Sequence, residues 1–302
     1  MRRAIAPAVS PFPIGVAVFA IVAFEAGAAF TKGLFPSLGA LGAATVRLFF
    51  GTAFLWAIWR PWRGALTRRQ GLHILAYGAS LGGMSLFFYL ALARLPLGLT
   101  LSLEMTGPLT LALISSRRLL DIVWIAVATT GLLLLLPHSE SVQALDSHGV
   151  LFAVLAGTCW ALYIVAGQKA GSSLPQGRAI ALSMAVSTLM VAPFGLLHAG
   201  TALFDRSILP IALLAGLFST AIPYSLDLFA MSRIPARLFG LLMSLAPVVG
   251  ALVGFFMLDE RLTPLQWSAI LCIVAATGGS SLSERIARSQ RPVPSISTGP
   301  AP

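Results

Sequence analysis

The sequence predicts an all-α integral membrane protein: ten transmembrane helices arranged as two inverted five-helix repeats. Three observations carry this expectation. Of the 302 residues, 57% are hydrophobic and only 10% are charged, whereas ordinary globular chains are about a quarter charged. The apolar residues collect in ten segments, several near the lower limit of the roughly 20 residues that cross a bilayer as a helix. Finally, Arg94-Leu95-Pro96 returns as Arg233-Ile234-Pro235 at an offset of 139. In that register Leu99, Leu103, Pro108, Ala112 and Leu113 meet Leu238, Leu242, Pro247, Ala251 and Leu252. Apolar composition alone supplies leucines and alanines, but an Arg-x-Pro and a second proline in one register point to an internal duplication.

In chain order, residues 1–13 form a cytoplasmic segment. Arg2 and Arg3 are followed by Pro7, Pro11 and Pro13, and no clean cleavage site follows the first apolar run, so that run is expected to stay as a membrane helix. The first repeat, 14–137, holds spans at 14–30, 40–59, 72–93, 97–115 and 122–137. An outer loop, 138–148, separates it from the second repeat, 149–283. That repeat holds spans at 149–167, 179–197, 208–232, 238–258 and 265–282. Residues 284–302, rich in Ser, Pro and Arg, read as a disordered cytoplasmic tail.

The net charge of +10 is not a nucleic-acid signal here, because the cations lie in short loops between apolar spans. With the N-terminus inside, the inner side holds fifteen Lys and Arg and the outer side only Lys32, Arg94, Arg206 and Arg261. That bias places both termini in the cytoplasm. Five spans per half is an odd number, so the second half enters the membrane upside down. Inverted repeats of this kind are the signature of secondary transporters, with the site near the midplane. Cys159 and Cys272 read as small core residues rather than a disulfide or metal pair. Trp56, Trp59, Trp62, Trp124 and Trp267 sit at span ends like an aromatic belt. Gly78 with Gly82, and Gly250 with Gly254, read as close helix packing.

Four ionisable groups lie well within spans: Glu25, Arg47, Glu104 and Asp227. Glu104 falls roughly 12 Å below the start of its helix at 1.5 Å per residue, where an ionisable group needs a cavity or a partner. Pro108, one turn on, cannot donate a backbone hydrogen bond and loosens the helix. Pro247 is its repeat mate. Arg47 and Glu104 lie at similar depth and are expected to pair, either as a structural ion pair or as part of a site. Asp227 is nearer the cytoplasm, where an interfacial acid or a partner of Arg233 is the competing role. Glu25 is mid-span, either a partner for Arg47 or a functional group. Tyr89, Trp160, Tyr163 and Tyr224 either line a cavity or pack in the core.

Gly78-Ala79-Ser80-Leu81-Gly82 matches the G-x-S-x-G hydrolase pattern, but that motif needs a strand-turn-helix elbow and a histidine partner. Here it lies inside an apolar helix, which leaves an intramembrane enzyme as a remote alternative. No P-loop, dinucleotide fingerprint or metal-ligand cluster appears, so no cofactor and no metal are expected.

Five segments carry a family resemblance: Ser80-Leu81-Gly82-Gly83-Met84, Glu104-Met105-Thr106-Gly107-Pro108, Ser115-Ser116-Arg117-Arg118, Ser219-Thr220-Ala221-Ile222-Pro223-Tyr224-Ser225-Leu226 and Phe239-Gly240-Leu241-Leu242-Met243-Ser244. With Thr263-Pro264 they resemble the EamA type of the drug/metabolite transporter superfamily, most closely its bacterial inner-membrane exporters of threonine and homoserine. The resemblance implies proton-driven antiport of small polar amino acids by alternating access, in a monomer or homodimer, with no nucleic acid. Aromatic amino acids, nucleotide precursors or drugs are the alternative cargo. The family usually carries a glutamate where this chain has Asp227, and a neutral polar residue where it has Glu25. A zwitterion has an ammonium and a carboxylate, and buried carboxylates and a buried guanidinium offer a partner for each.

Overall fold

A bilayer offers the backbone no water, so each apolar run has to satisfy its own amides, and a helix does so within one segment. The structure is a computed structural model and describes residues 11–115, 119–134, 146–231, 245–259 and 261–289. Among these, regular structure is helical throughout. The elements are α1 (Pro11–Gly33), α2 (Phe35–Trp59), α3 (Arg68–Leu92), α4 (Leu97–Glu104), α5 (Thr106–Ser115), α6 (Leu119–Leu134), α7 (Ser147–Ser173) and α8 (Gln176–Ala199). Then come α9 (Leu209–Gly216), a π-turn (Leu217–Ala221), α10 (Ile222–Met231), α11 (Ala246–Met257) and α12 (Pro264–Ser289). Six helices among the described residues are long and apolar enough to cross a membrane.

Several helix starts are encoded locally. Thr67 and Gln70 form a capping box ahead of α3: the Gln70 amide donates to Thr67 Oγ1 at 3.3 Å and the Thr67 amide to Gln70 Oε1 at 3.0 Å. Thr263 and Gln266 repeat the arrangement ahead of α12, at 3.3 and 2.9 Å. Each box satisfies two amides that the first helical turn leaves unpaired. Asp146 caps α7, accepting from the His148 and Gly149 amides at 2.8 and 3.2 Å. Gly39, at φ +65°, bends the start of α2 in a conformation open to glycine.

Two helices are interrupted near prolines. The fourth expected span is broken at Met105, between α4 and α5. Pro108 has no N–H for the Glu104 carbonyl four residues back. The same spacing recurs at the π-turn, where Pro223 has no N–H for the Ser219 carbonyl. Pro247, the repeat mate of Pro108, likewise stands in the first turn of its helix, α11, and the residues just ahead of Leu245 lie outside the described residues. Residues 238–244 of the ninth expected span lie outside the described residues.

The helices pack as follows: α3 on α7 and α8, α2 on α8, α4 on α11, and α6 on α12. The α9–π-turn–α10 segment packs on α1 and α2, and α5 on α7. Tight crossings are made at glycines. A Cβ on Gly107 would stand 1.7 Å from the Gly157 carbonyl oxygen, and one on Gly157 would stand 2.4 Å from the Glu104 carbonyl oxygen. Gly27 lies against the Ser219 backbone and Gly51 against the Thr220 side chain, both leaving under 3 Å for a Cβ. Gly78 and Gly82 meet α8, and Gly250 meets Leu101 of α4, as the small-residue spacing led one to expect.

Two expectations change. The tail was expected to be disordered from 284, yet α12 runs to Ser289. Glu284, Arg285, Ile286, Ala287 and Arg288 tolerate a helix well, and the next proline is Pro292. The belt tryptophans also hold the bundle together: Trp56 Nε1 donates to the Ala181 carbonyl at 2.9 Å, and the Trp59 ring fills the space beside Gly177.

Two predictions follow from this packing. Helical Gly→Ala favours the helix by about 1 kcal/mol, but overpacking a tight contact costs about 1–3 kcal/mol. Gly107→Ala and Gly157→Ala are therefore expected to melt lower than wild type in detergent. Gly15→Ala, which meets nothing within 4 Å, should melt at or above it. The second concerns Asp146, whose Oδ2 accepts from Arg94 Nη1 at 2.7 Å. That hydrogen bond, with the capping amides, holds its carboxyl below the usual carboxylate range. Such a group stabilises the fold above its unfolded pKa of about 3.9, and the contribution is lost as pH falls through the lower folded value. The melting advantage of wild type over Asp146→Asn should shrink between roughly pH 6 and roughly pH 3.

Candidate functional site

Arg47 is presented by the middle of α2 and is 3% exposed. Its Nη1 donates to the Ser219 carbonyl at 3.0 Å, to Ser219 Oγ at 3.2 Å and to Thr220 Oγ1 at 3.1 Å. Its Nη2 donates to Ser85 Oγ of α3. The guanidinium carbon lies 5.1 Å from the centroid of the Tyr89 ring, within cation–π range. Arg47 Nε has no hydrogen-bond partner. A buried cation is thus held by carbonyl and hydroxyl dipoles and by a ring face.

Glu25 of α1 and Glu104, the last residue of α4, are equally buried, at 1% and 3% exposure. Glu25 Oε2 and Glu104 Oε1 have no hydrogen-bond partner, and the two carboxyls lie within electrostatic range of one another. Glu25 Oε2 is 3.4 Å from the place a Cβ would take on Gly250, so a small residue on α11 makes room for it. Cys159 of α7 is also within electrostatic range of Glu104. Its Sγ is 2.9 Å from the Cβ position of Gly83 on α3. Among the described residues, the buried side-chain polar atoms without a partner are Glu25 Oε2, Arg47 Nε, Glu104 Oε1 and Ser187 Oγ.

The expected Arg47–Glu104 pair is not formed in this structure, and Arg47 does not pair with Glu25 either. The physical reason is local: the carbonyl and hydroxyls of the π-turn take the Nη1 end first. Tyr89 joins the site through its ring. Tyr163 stacks on Tyr77 at 4.9 Å, Tyr224 meets Phe24 edge-on at 6.4 Å, and Trp160 packs against the cluster of Leu95, Leu99 and Leu103. Asp227 belongs to α10, and its side chain lies outside the described residues. Ser80 of the G-x-S-x-G stretch is half-buried and donates to the Ala76 carbonyl of its own helix at 2.8 Å.

Ser85, Ser219 and Thr220 were not anticipated from the sequence. A signal for two of them was present. Pro223 follows Ser219 at the spacing with which Pro108 follows Glu104, and a proline inside an apolar span frees a carbonyl for a donor from elsewhere.

Acidic and basic side chains with unmet hydrogen-bonding capacity, buried within a bundle of apolar helices, point to a multi-pass membrane transport protein. Residues 147–282 match the EamA-like transporter family. The chain is 44% identical over 274 residues to the threonine/homoserine exporter RhtA of Escherichia coli, covering 90% of this chain and 92% of that protein. It is 43% identical over the same length to RhtA of Salmonella typhimurium. A crystal structure of a protein with 18% identity superposes with a TM-score of 0.64, covering 93% of this chain and 99% of its own, and so shares the fold. The chain belongs to the EamA-like transporter family, and it is a transporter rather than an enzyme.

Proposed function

We propose that this chain is a secondary active exporter of small polar amino acids, threonine and homoserine among them, working by proton antiport with alternating access. One observation carries the reading. The unpartnered buried atoms include two carboxylate oxygens and a guanidinium N–H, which together complement a molecule bearing both an ammonium and a carboxylate. The Escherichia coli and Salmonella typhimurium relatives are threonine/homoserine exporters, which supports the same cargo. Glu104 is the group proposed to alternate between a proton and the substrate ammonium. Asp227, nearer the inner end of its span, is proposed to load substrate from the cytoplasm.

Two inverted five-helix halves supply the alternating access. The packing supports this pairing. The third span, α3, lies against α7 and α8, and its proposed mate, α9–α10, lies against α1 and α2. The second, fourth and fifth spans each pack on their own mates: α2 on α8, α4 on α11, α6 on α12. Helices also begin at matching places around the duplicated prolines, at Thr106 ahead of Pro108 and at Ala246 ahead of Pro247.

The test is uptake of labelled threonine into inside-out vesicles of a bacterial inner membrane. Wild type should accumulate threonine when the lumen is acidified, and less without a proton gradient. Glu104→Gln keeps the size and removes the proton, so it should exchange labelled for unlabelled threonine yet fail to accumulate it. Full accumulation by Glu104→Gln would move the coupling role elsewhere, and a wild type that takes up no threonine would overturn the cargo. Topology has its own check. Reporters fused after Gln143 should read outside and those after Gln290 inside, and a cytoplasmic signal at Gln143 would defeat the five-plus-five division.

A further inference from the structure

We propose that Arg47 offers the Nε–Nη2 edge of its guanidinium as a docking fork for the substrate's carboxylate, and that Ser219, Thr220 and Tyr89 are positioning residues that hold the fork still. The inference rests on the transport reading above and adds which atoms take the carboxylate and what prepares them.

A guanidinium carries five N–H bonds in a planar fork, and two of its edges match the two oxygens of a carboxylate. In Arg47 the loads on those atoms are uneven. Nη1 faces three oxygens of the π-turn: the Ser219 carbonyl, Ser219 Oγ and Thr220 Oγ1. Nη2 has Ser85 Oγ, and Nε has no acceptor although the residue is 3% exposed. Nε–H and one Nη2–H project side by side from the edge away from the π-turn. A single hydroxyl on that edge leaves one N–H unmet, whereas a carboxylate meets both. Leaving a charged N–H buried without an acceptor is unfavourable, and a side chain with a purely structural role has every reason to be satisfied all round.

The remaining contacts prepare the fork. Pro223 has no N–H for the Ser219 carbonyl, so that carbonyl is available to an outside donor. Gly27 lets the α1 backbone approach Ser219, and Gly51 admits the Thr220 side chain, which fixes the π-turn on α1 and α2. The Tyr89 ring, 1% exposed and 5.1 Å from the guanidinium carbon, sets the plane. A receptor held this way loses little freedom when its ligand arrives, and that raises affinity. The ligand class follows: a small molecule with a planar carboxylate, whose ammonium is left for Glu25 and Glu104.

The experiment compares L-threonine with L-threoninol, in which the carboxylate is replaced by a hydroxymethyl group. Binding to the full chain in lipid nanodiscs is measured for both. Wild type should prefer threonine by roughly a hundredfold or more, the scale of two hydrogen bonds between charged partners. Arg47→Lys keeps the charge but has no planar fork, and its preference should fall to about threefold or less. Thr220→Val keeps the shape beside Gly51 and removes one anchor of Nη1. It should bind threonine about threefold to tenfold more weakly while threoninol binding stays put. Damage to packing alone would weaken both ligands together and leave their ratio at the wild-type value. That result for Thr220→Val overturns the positioning role. A wild-type ratio near one, with threonine still exported, overturns the fork and leaves the transport reading standing. If Arg47→Lys fails to fold, the wild-type ratio and Thr220→Val decide the matter. Wild type that neither binds nor exports threonine overturns the transport reading, and this inference falls with it.

Discussion

A buried arginine fastened to a proline-weakened turn ties the centre of this protein together. Arg47 reaches from α2 to Ser85 on α3 and to Ser219 and Thr220 between α9 and α10. Burying a cation is expensive unless polar atoms surround it, so the neighbouring elements are arranged to bring oxygens to it. The glycines on α1 and α2 follow from the same need. With any side chain at Gly27 or Gly51, the π-turn would stand further off, and the guanidinium would lose its acceptors.

Two carbonyls are released by prolines, and they meet opposite fates. Pro223 leaves the Ser219 carbonyl to the Nη1 of Arg47. Pro108 leaves the Glu104 carbonyl pressed against the Cα of Gly157, where only weak C–H contact is on offer. The first break is therefore pinned by a charged donor, and the second is packed against the backbone of a neighbouring helix.

Much of this was legible in the sequence. The apolar runs, the buried Glu25, Arg47 and Glu104, and the role of Gly78 and Gly82 follow from composition, spacing and the absence of water in a bilayer. The partners of Arg47 were not. Depth along a helix says how far a group lies from the surface, and Arg47 and Glu104 share a depth. It does not say which way each side chain turns around its axis, and that angle sent Arg47 toward the π-turn. Serine and threonine are common in apolar helices, where they bond back to their own backbone, as Thr100, Ser102 and Ser225 do here. Nothing in their identity separates those from Ser85, Ser219 and Thr220. The aromatic residues show the same limit: Tyr89 and Tyr163 look alike in sequence, and only the crossing of α2, α3 and α7 puts one under a guanidinium and the other on Tyr77.

The balance of charge in the centre bears on why it exists. Two carboxyls and one guanidinium are buried within one bundle, yet the guanidinium is held by neutral oxygens with its Nε left unpartnered, and each carboxyl keeps an unpartnered oxygen. A bundle built for stability alone would gain by replacing such groups with apolar side chains of similar volume. Pairing Arg47 with either glutamate would also have relieved the burial of both. Keeping the opposite charges apart on separate helices preserves the capacity of each for a third party. That separation is the arrangement a zwitterion requires, and it is stable in the resting protein only because dipoles and a ring face hold Arg47 in the meantime. Where local rules of burial are broken in a way that leaves complementary capacity on both sides, the break is where a chain's function is expected to lie.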